Sequence, residues 1–475
     1  MNEIARSAFD SLRAGTLDAA LLARAGATRP AEDTLALTRA AQHPALAPSL
    51  ERWLPGLLGS AEPGPGARRL VEIAEVGASG LAALAPGAAL GALVGNSRFL
   101  SRWLVREPSW LADVVGPTPP SPADPAPARA DWEGLRRAKY RGLLRVTARD
   151  LAGRPFEEGL RELSDLADAV LGRGLALASG AGEPPALFCL GKLGGRELNF
   201  SSDVDLLFVC EASPDADGAA AREQAGRAIR ELKKRLEERT GEGFAYRVDL
   251  DLRPEGPAGA LVRGVEATLA YYELRGAAWE RQMLLRLRHL CGSDAAASDF
   301  EAALEPFVHP RTVDPMTIAR VREMKHRIER ERRAAGRNLD HELKEGPGGI
   351  RDVEFTVQAL QLFYAGHHPA LRTGNVLDAI EALSAAGLLP DDAAEELAAG
   401  YRWLRRAEHA LQLPEEQQTA RLPADAVART AVARRMGYDA PEAETALAHF
   451  EADAARARSQ VRTHFEALVL EEAED

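Results

Sequence analysis

Two aspartates, Asp203 and Asp205, stand two positions apart at the start of the apolar run Val204–Val209. In an extended strand residues i and i+2 share a face, so the two carboxylates project together. Like charges placed this close repel unless a cation or water receives them. Hard oxygen donors of this kind suit magnesium, which takes few protein carboxylates and completes its shell with water and phosphate oxygens. An exposed strand end with an incidental acidic pair is the bland alternative. The pattern itself recurs in Asp215-Ala-Asp217 and Asp249-Leu-Asp251. The first of these lies among proline, serine and glycine and reads as a solvated loop.

Residues around the pair strengthen it. Gly191, Gly194 and Gly195 form a glycine-rich turn ahead of Asp203, where backbone can approach a phosphate closely and offer amide donors. Lys192 brings a mobile positive charge to that turn, and Ser202 joins the same nucleotide-contacting set. The turn is neither a Walker loop nor a dinucleotide-binding fingerprint, since neither spacing occurs here. Farther on, Phe244–Leu252 alternates apolar and polar residues and reads as a strand whose polar face carries Arg247, Asp249 and Asp251. Asp249 would be the third carboxylate of a two-magnesium site, able to help deprotonate an attacking hydroxyl. Arg253, just beyond, could bind a phosphate. Ordinary charges on a surface strand are the alternative for this segment.

These residues need a sheet beneath them. Ala186–Leu190 and Val204–Val209 have the length and composition of buried strands, and Ala219–Thr240 is an amphipathic helix with Ala225, Ile229, Leu232 and Leu236 on one face. On either side the pattern is helical. Residues 1–115 form an N-terminal helical region in which Phe99, Trp103, Leu104, Trp110 and Leu111 read as core, and Leu160, Leu163, Leu166 and Val170 make one stripe. Residues 116–131 form a proline-rich linker that cannot sustain helix. A catalytic domain is expected over 132–305 and a C-terminal helical domain over 306–475, interrupted at Gly346–Gly349 and Leu422-Pro423 and ending in an acidic tail, Glu471–Asp475. The fold class is therefore α+β, mostly helical, with a small mixed sheet.

Composition bounds the possibilities. At 475 residues the chain holds more than one core, and its 27% charged residues describe an ordinary globular protein. A formal net charge of −12 argues against a nucleic-acid partner. Three widely spaced cysteines without a CxxC pair argue against a disulfide framework or a zinc site, and His289, His326, His367 and His368 lack metal-ligand spacing. No signal-peptide order and no apolar run near ~20 residues appear, so no membrane partner and a cytoplasmic location are expected.

From Gly191 to Phe208, then through Tyr246-Arg-Val-Asp-Leu-Asp-Leu-Arg-Pro254 with Gly256 and Gly259, the chain resembles the glutamine synthetase adenylyltransferase/adenylyl-removing enzyme family. The resemblance continues through Ala278-Trp-Glu-Arg281 with Arg286 and Arg288, and through Lys344–Phe355, and covers roughly Gly95 to Leu422. It implies a polymerase-beta-type nucleotidyltransferase core and magnesium-dependent chemistry with ATP or ADP at a tyrosine of glutamine synthetase. A PII-type signal protein is a further possible partner. Family members are typically tandem; this chain shows one such block and hence one active site. Glu197-Leu-Asn-Phe-Ser-Ser-Asp203 looks like the adenylyl-removing half, since the adenylylating half tends to carry glycine, tyrosine and glycine in place of Asn199, Phe200 and Ser201. That implies phosphorolytic removal of AMP, with adenylylation by ATP, or a non-catalytic module binding glutamine synthetase or PII, as alternatives. Asp251 departs from the family, which more often has arginine there; it either joins the metal site or leaves the phosphate contact to Arg253. The block around Gly348–Glu354 either closes the site or is a helix start stabilised by nearby acids.

Overall fold

The computed structural model of the chain describes residues 3–24, 27, 29–84, 87–115, 131–211, 216–313, 316–334, 339–438 and 443–467. The proline-rich stretch from Gly116 to Pro127, Asp215 and the acidic end from Glu471 fall outside the described residues. Asp217, expected in a loop, belongs to the first turn of the helix Ala216–Glu237.

Five strands form a mixed sheet: β1 (Ala186–Cys189), β2 (Val204–Cys210), β3 (Val248–Asp249), β4 (Arg263–Gly264) and β5 (Arg288–Cys291). β1 lies between antiparallel β2 and β5. β3 and β4 both run parallel to β2 along its far edge, β3 at its start and β4 at its end. Side chains alternate across the sheet and feed two cores. Leu187, Cys189, Leu206 and Phe208 enter a core shared with the N-terminal helices and with Trp132–Leu151, Phe156–Ser179 and Ala216–Glu237. Leu160, Leu163, Leu166 and Val170 are buried as their spacing predicts, and Trp103 stacks on both Trp110 and Tyr140. Ala186, Phe188, Leu207 and Val209 face the other way, toward Tyr272, Phe300, Phe355 and Phe465.

Two strand expectations are corrected. Of Phe244–Leu252 only Val248 and Asp249 pair in the sheet. The N–H groups of Ala245 and Tyr246 donate instead to the Leu236 carbonyl at a helix end. The Asp249 carboxylate accepts from the Asp251 N–H, a local turn that draws the chain off the sheet. Conversely β5 lies where helix was expected; its four residues are only half-buried and carry no apolar alternation.

The C-terminal bundle comprises Ile350–Tyr364, Val376–Ala385, Asp391–Gln412, Ala426–Arg435 and Ala443–Phe465, around Val353, Leu397, Tyr401, Leu404 and Val461. Asn375 starts the second of these by accepting from the N–H groups of Leu377 and Asp378. Pro390 precedes the long Asp391–Gln412 helix, whose first turn carries Asp391 and Asp392 against its positive end. Among the described residues no helix is long and apolar enough to cross a membrane. Cys189, Cys210 and Cys291 are all free thiols.

Candidate active site

The sheet sets the acids in place. Asp203 immediately precedes β2 and Asp205 is its second residue; the parallel register aligns Asp205 directly with Asp249 of β3. The Val204 N–H donates to the Arg247 carbonyl and the Leu190 N–H to the Asp205 carbonyl, so both neighbouring segments are pinned to the start of β2. After β1 the chain turns at Gly191 with φ +53°. A side chain there would be strained, and its Cβ would collide with the Asp205 carboxylate. The residues Gly191–Gly194 make one short helical turn.

Gly191, Lys192, Ser202, Asp203, Asp205 and Asp249 all line one cavity of about 420 Å³. The rest of its wall comes from distant segments: Gln282 and Arg286 from the stretch leading into β5, Lys344 from the turn before the C-terminal bundle, Arg351, Glu354 and Gln358 from that bundle's first helix, and Gln418 from the loop after the Asp391–Gln412 helix. Three expected residues lie elsewhere. Gly194 packs against the Arg286 backbone and Gly195 against Gly374, so these glycines serve close chain approach rather than an anion. Arg253 is buried, and its guanidinium donates to the carbonyls of Leu250, Pro257 and Gly259, holding its own loop rather than a phosphate. Asp251 is exposed beside Arg253 at 3.6 Å and lies outside the cavity wall.

The cavity is strongly polarised. Asp205 is pushed up to about 6, first by burial, then by the negative charges of Asp249 and Asp203, against the pull of Lys344 and Lys192. Lys192 is not mobile: its Nζ lies 3.1 Å from Glu408, and burial lowers its pKa despite that partner. Glu354 sits 3.3 Å from Arg286. Burial alone would raise its carboxyl, but Arg286, Arg405, Lys344 and Arg351 together hold it below the usual range. Asp203 accepts from the Arg247 guanidinium and, at 2.8 Å, from Gln418.

Behind the cavity runs a buried polar seam between the sheet and the bundle. Asn199 donates to Glu408 and accepts from Arg405. Arg405 also reaches the Glu197 carbonyl and Tyr401, and the Glu197 carboxylate meets Tyr401, the Val376 N–H and Arg286. The Ser201 N–H donates to Gln412 and its hydroxyl to the Glu416 carbonyl.

Among the described residues no group of three or more carboxylate, imidazole or thiol side chains is close enough to form a closed metal cage. Magnesium needs no such cage, since it binds through one or two carboxylates and retains waters. The donor set fits it: Asp205 and Asp249 lie close enough to raise the Asp205 carboxyl by like charge, which a cation would relieve, and the buried Ser202 hydroxyl in the same wall has no hydrogen-bond partner. Asp203 accepts from Arg247 at one oxygen and from Gln418 at the other, and each oxygen keeps a lone pair for an ion, though the Arg247 charge opposes one.

The Gly348–Glu354 block divides its work. Ile350 and Val353 enter the core, Asp352 accepts from the Gly348 N–H and pairs with buried Lys325 at 2.6 Å, and Arg351 and Glu354 line the cavity. His289 bonds the Cys291 carbonyl and packs on Phe188, and His367 bonds the Arg311 carbonyl. Lys344, Glu354, Gln358 and Gln418 were not read as site residues. Short-range spacing carries no signal for groups brought in from 90 or more positions away; only the Lys344–Phe355 block hinted at them.

Residues 87–303 match the family model described as glutamate-ammonia ligase adenylyltransferase. Over those residues the chain is similar to that family, one of nucleotidyltransferase enzymes. Residues 317–469 match a second model, GlnD PII-uridylyltransferase. Relatives include proteins named bifunctional glutamine synthetase adenylyltransferase/adenylyl-removing enzyme. That of Thioalkalivibrio sulfidiphilus is 39% identical over 350 residues, covering 70% of this chain and 35% of the relative. That of Nitrosococcus oceani is 39% identical over 354 residues, covering 70% and 36%. That of Streptomyces coelicolor is 39% identical over 313 residues, covering 64% and 31%. The chain thus spans about a third of the length of these curated relatives.

Proposed function

We propose that the chain is a cytoplasmic, magnesium-dependent nucleotidyltransferase acting on a tyrosine of glutamine synthetase, and that it removes AMP by phosphorolysis. One observation carries the reading. Asp205 and Asp249, side by side in register, face Arg286, Lys344 and Arg351 across a single cavity, an acidic wall for a cation and a basic wall for phosphate groups. In the reaction an oxygen of inorganic phosphate attacks the adenylyl phosphorus, the bond from phosphorus to the tyrosine oxygen breaks, and ADP and free tyrosine leave. Asp203, Asp205 and Asp249 would hold magnesium, which when bound neutralises charge on the transferring phosphoryl group. Lys344 and Arg351 hold the incoming anion, and the seam fixes Lys192 and Arg286 so that positioning and electrostatics supply most of the rate.

The direction rests on Asn199, Phe200 and Ser201. The side chains of Asn199 and Ser201 fill the seam with hydrogen bonds to Arg405, Glu408 and the Glu416 carbonyl, which glycines at those places would leave unanswered. The second family match supports a PII-type protein as a further partner. Two assays test the proposal: magnesium, phosphate and adenylylated glutamine synthetase in one, ATP and the unmodified enzyme in the other. ADP appearing in the first alone is expected. AMP incorporation in the second reverses the direction, and wild-type rates in Asp203→Asn sink the site assignment.

A further inference from the structure

A second cavity, of about 450 Å³, is lined on one side by Arg402, Arg406, His409 and Ala410 of the Asp391–Gln412 helix and shares no lining residue with the catalytic pocket. Four arginines border it: Arg154, Arg402, Arg406 and Arg435. Two are already neutralised, Arg154 by Asp150 and Glu162, and Arg402 by Glu157. The other two have no carboxylate within ion-pair distance among the described residues. Arg406 donates only to the Met436 carbonyl and Arg435 only to the Asn96 carbonyl. The nearby acid Glu62 is taken by Arg98. Burial pushes the Arg435 guanidinium down to about 10, so it stays charged at neutral pH in a place that lacks a counter-anion.

The deep end of this cavity is different. Thr147 is almost fully buried and its hydroxyl has no partner; the Nδ1 of His409 is likewise buried and unpaired. Burial holds His409 near 4, so it is a neutral hydrogen-bonding group there. Phe156 packs edge-on to His409 at 5.8 Å and supplies an apolar flank. Buried polar atoms without partners are uncommon and mark places where a ligand or water completes the structure. Two guanidiniums without carboxylate partners, an exposed one at Arg406 and a more buried one at Arg435, an aromatic flank and unpaired polar atoms at the depth describe one kind of guest.

We propose that this cavity is a binding site for a small organic anion, a phosphate monoester or carboxylate with an apolar body, and that the catalytic pocket senses its occupancy. The sensing path is short. Adjacent residues of one helix reach toward both cavities: Glu408 holds Asn199 and Lys192, a wall residue of the catalytic pocket, while His409 lines the second cavity. His409 also packs edge-on to Phe200, three residues before Asp203. A guest that moves His409 therefore moves the segment carrying the first catalytic acid, and linkage makes the effect reciprocal.

The probes are phenyl phosphate and phenylacetate, titrated calorimetrically into the full chain. Saturable binding of at least one is expected, weakened by about tenfold or more in Arg406→Glu, whose side chain is exposed and whose loss spares the fold. Binding should persist in Lys344→Ala, which lies in the catalytic pocket; which probe binds separates phosphate from carboxylate. ADP affinity should change with the bound probe in the wild type and not in Arg406→Glu. No saturable binding of either probe, or equal binding by wild type and Arg406→Glu, overturns the site. Probe binding that leaves ADP affinity untouched overturns the coupling. Neither result depends on the direction of the proposed reaction.

Discussion

Replacing Asp205 with asparagine should make the unliganded protein more stable while destroying its chemistry. The carboxyl is raised from about 3.8 to about 6 by burial and by Asp249 and Asp203. Each unit corresponds to ~1.4 kcal/mol, so the ionised form costs the fold up to about 3 kcal/mol. The native state holds this proton more tightly than the unfolded chain does, so stability falls as pH rises from about 4 to about 6 and the penalty is full above that. Asparagine keeps the shape and removes the charge. Urea midpoints of Asp205→Asn and wild type, without magnesium, should coincide near pH ~4 and differ by about 1–3 kcal/mol near pH ~8. Taking the difference cancels the titrating groups that do not interact with Asp205 and leaves the acidic wall of Asp203, Asp205 and Asp249. Magnesium should then stabilise wild type more than the variant by mass action. A difference that stays constant across this range, or a variant less stable than wild type near pH ~8, would refute the electrostatic account of the acidic wall.

Lys192→Met should cost about 3–5 kcal/mol by stranding Glu408 in the seam, and adding Glu408→Gln should recover most of it; chemical denaturation of the single and double variants decides. Gly191→Ala must strain a φ of +53° and displace the Asp205 carboxylate, for a loss of about 1–3 kcal/mol and of most activity; full activity would show that the turn tolerates a side chain. Arg247→Ala releases Asp203 from its guanidinium, so magnesium should bind several-fold more tightly by calorimetry, about 1 kcal/mol. Unchanged or weaker binding would mean that Asp203 is not a ligand.

What sequence revealed depended on range. β1, β2 and the helix Ala216–Glu237 follow from local apolar pattern, because each buries its own stripe wherever its partners come from. Asp203, Asp205 and Gly191 are legible for the same reason: strand alternation and a forced turn are properties of a few adjacent residues. Asp249 was found through an alternation that the chain mostly does not use, since only two residues of that run pair. Gly194, Gly195 and Arg253 looked alike in type to phosphate binders but answer to Arg286, Gly374 and three carbonyls of a nearby loop. Nothing in their own neighbourhood distinguishes the two uses. β5 escaped because its pairing with β1, not its composition, makes it a strand.

The seam of Glu197, Asn199, Arg286, Glu354, Arg405 and Glu408 has a consequence for how such a chain can be divided. The two family matches meet between residues 303 and 317, which invites a cut there. Three of these six side chains come from each match, and two pairs of opposite charges cross between the matches at Arg286–Glu354 and Lys192–Glu408. Severed, each piece would carry stranded ions into water that were shaped for one another, and a graft from a foreign relative would meet mismatched charges. Sequence kinship has a border at that point, but cooperativity does not, and the two segments are bound to be inherited, exchanged and engineered as one.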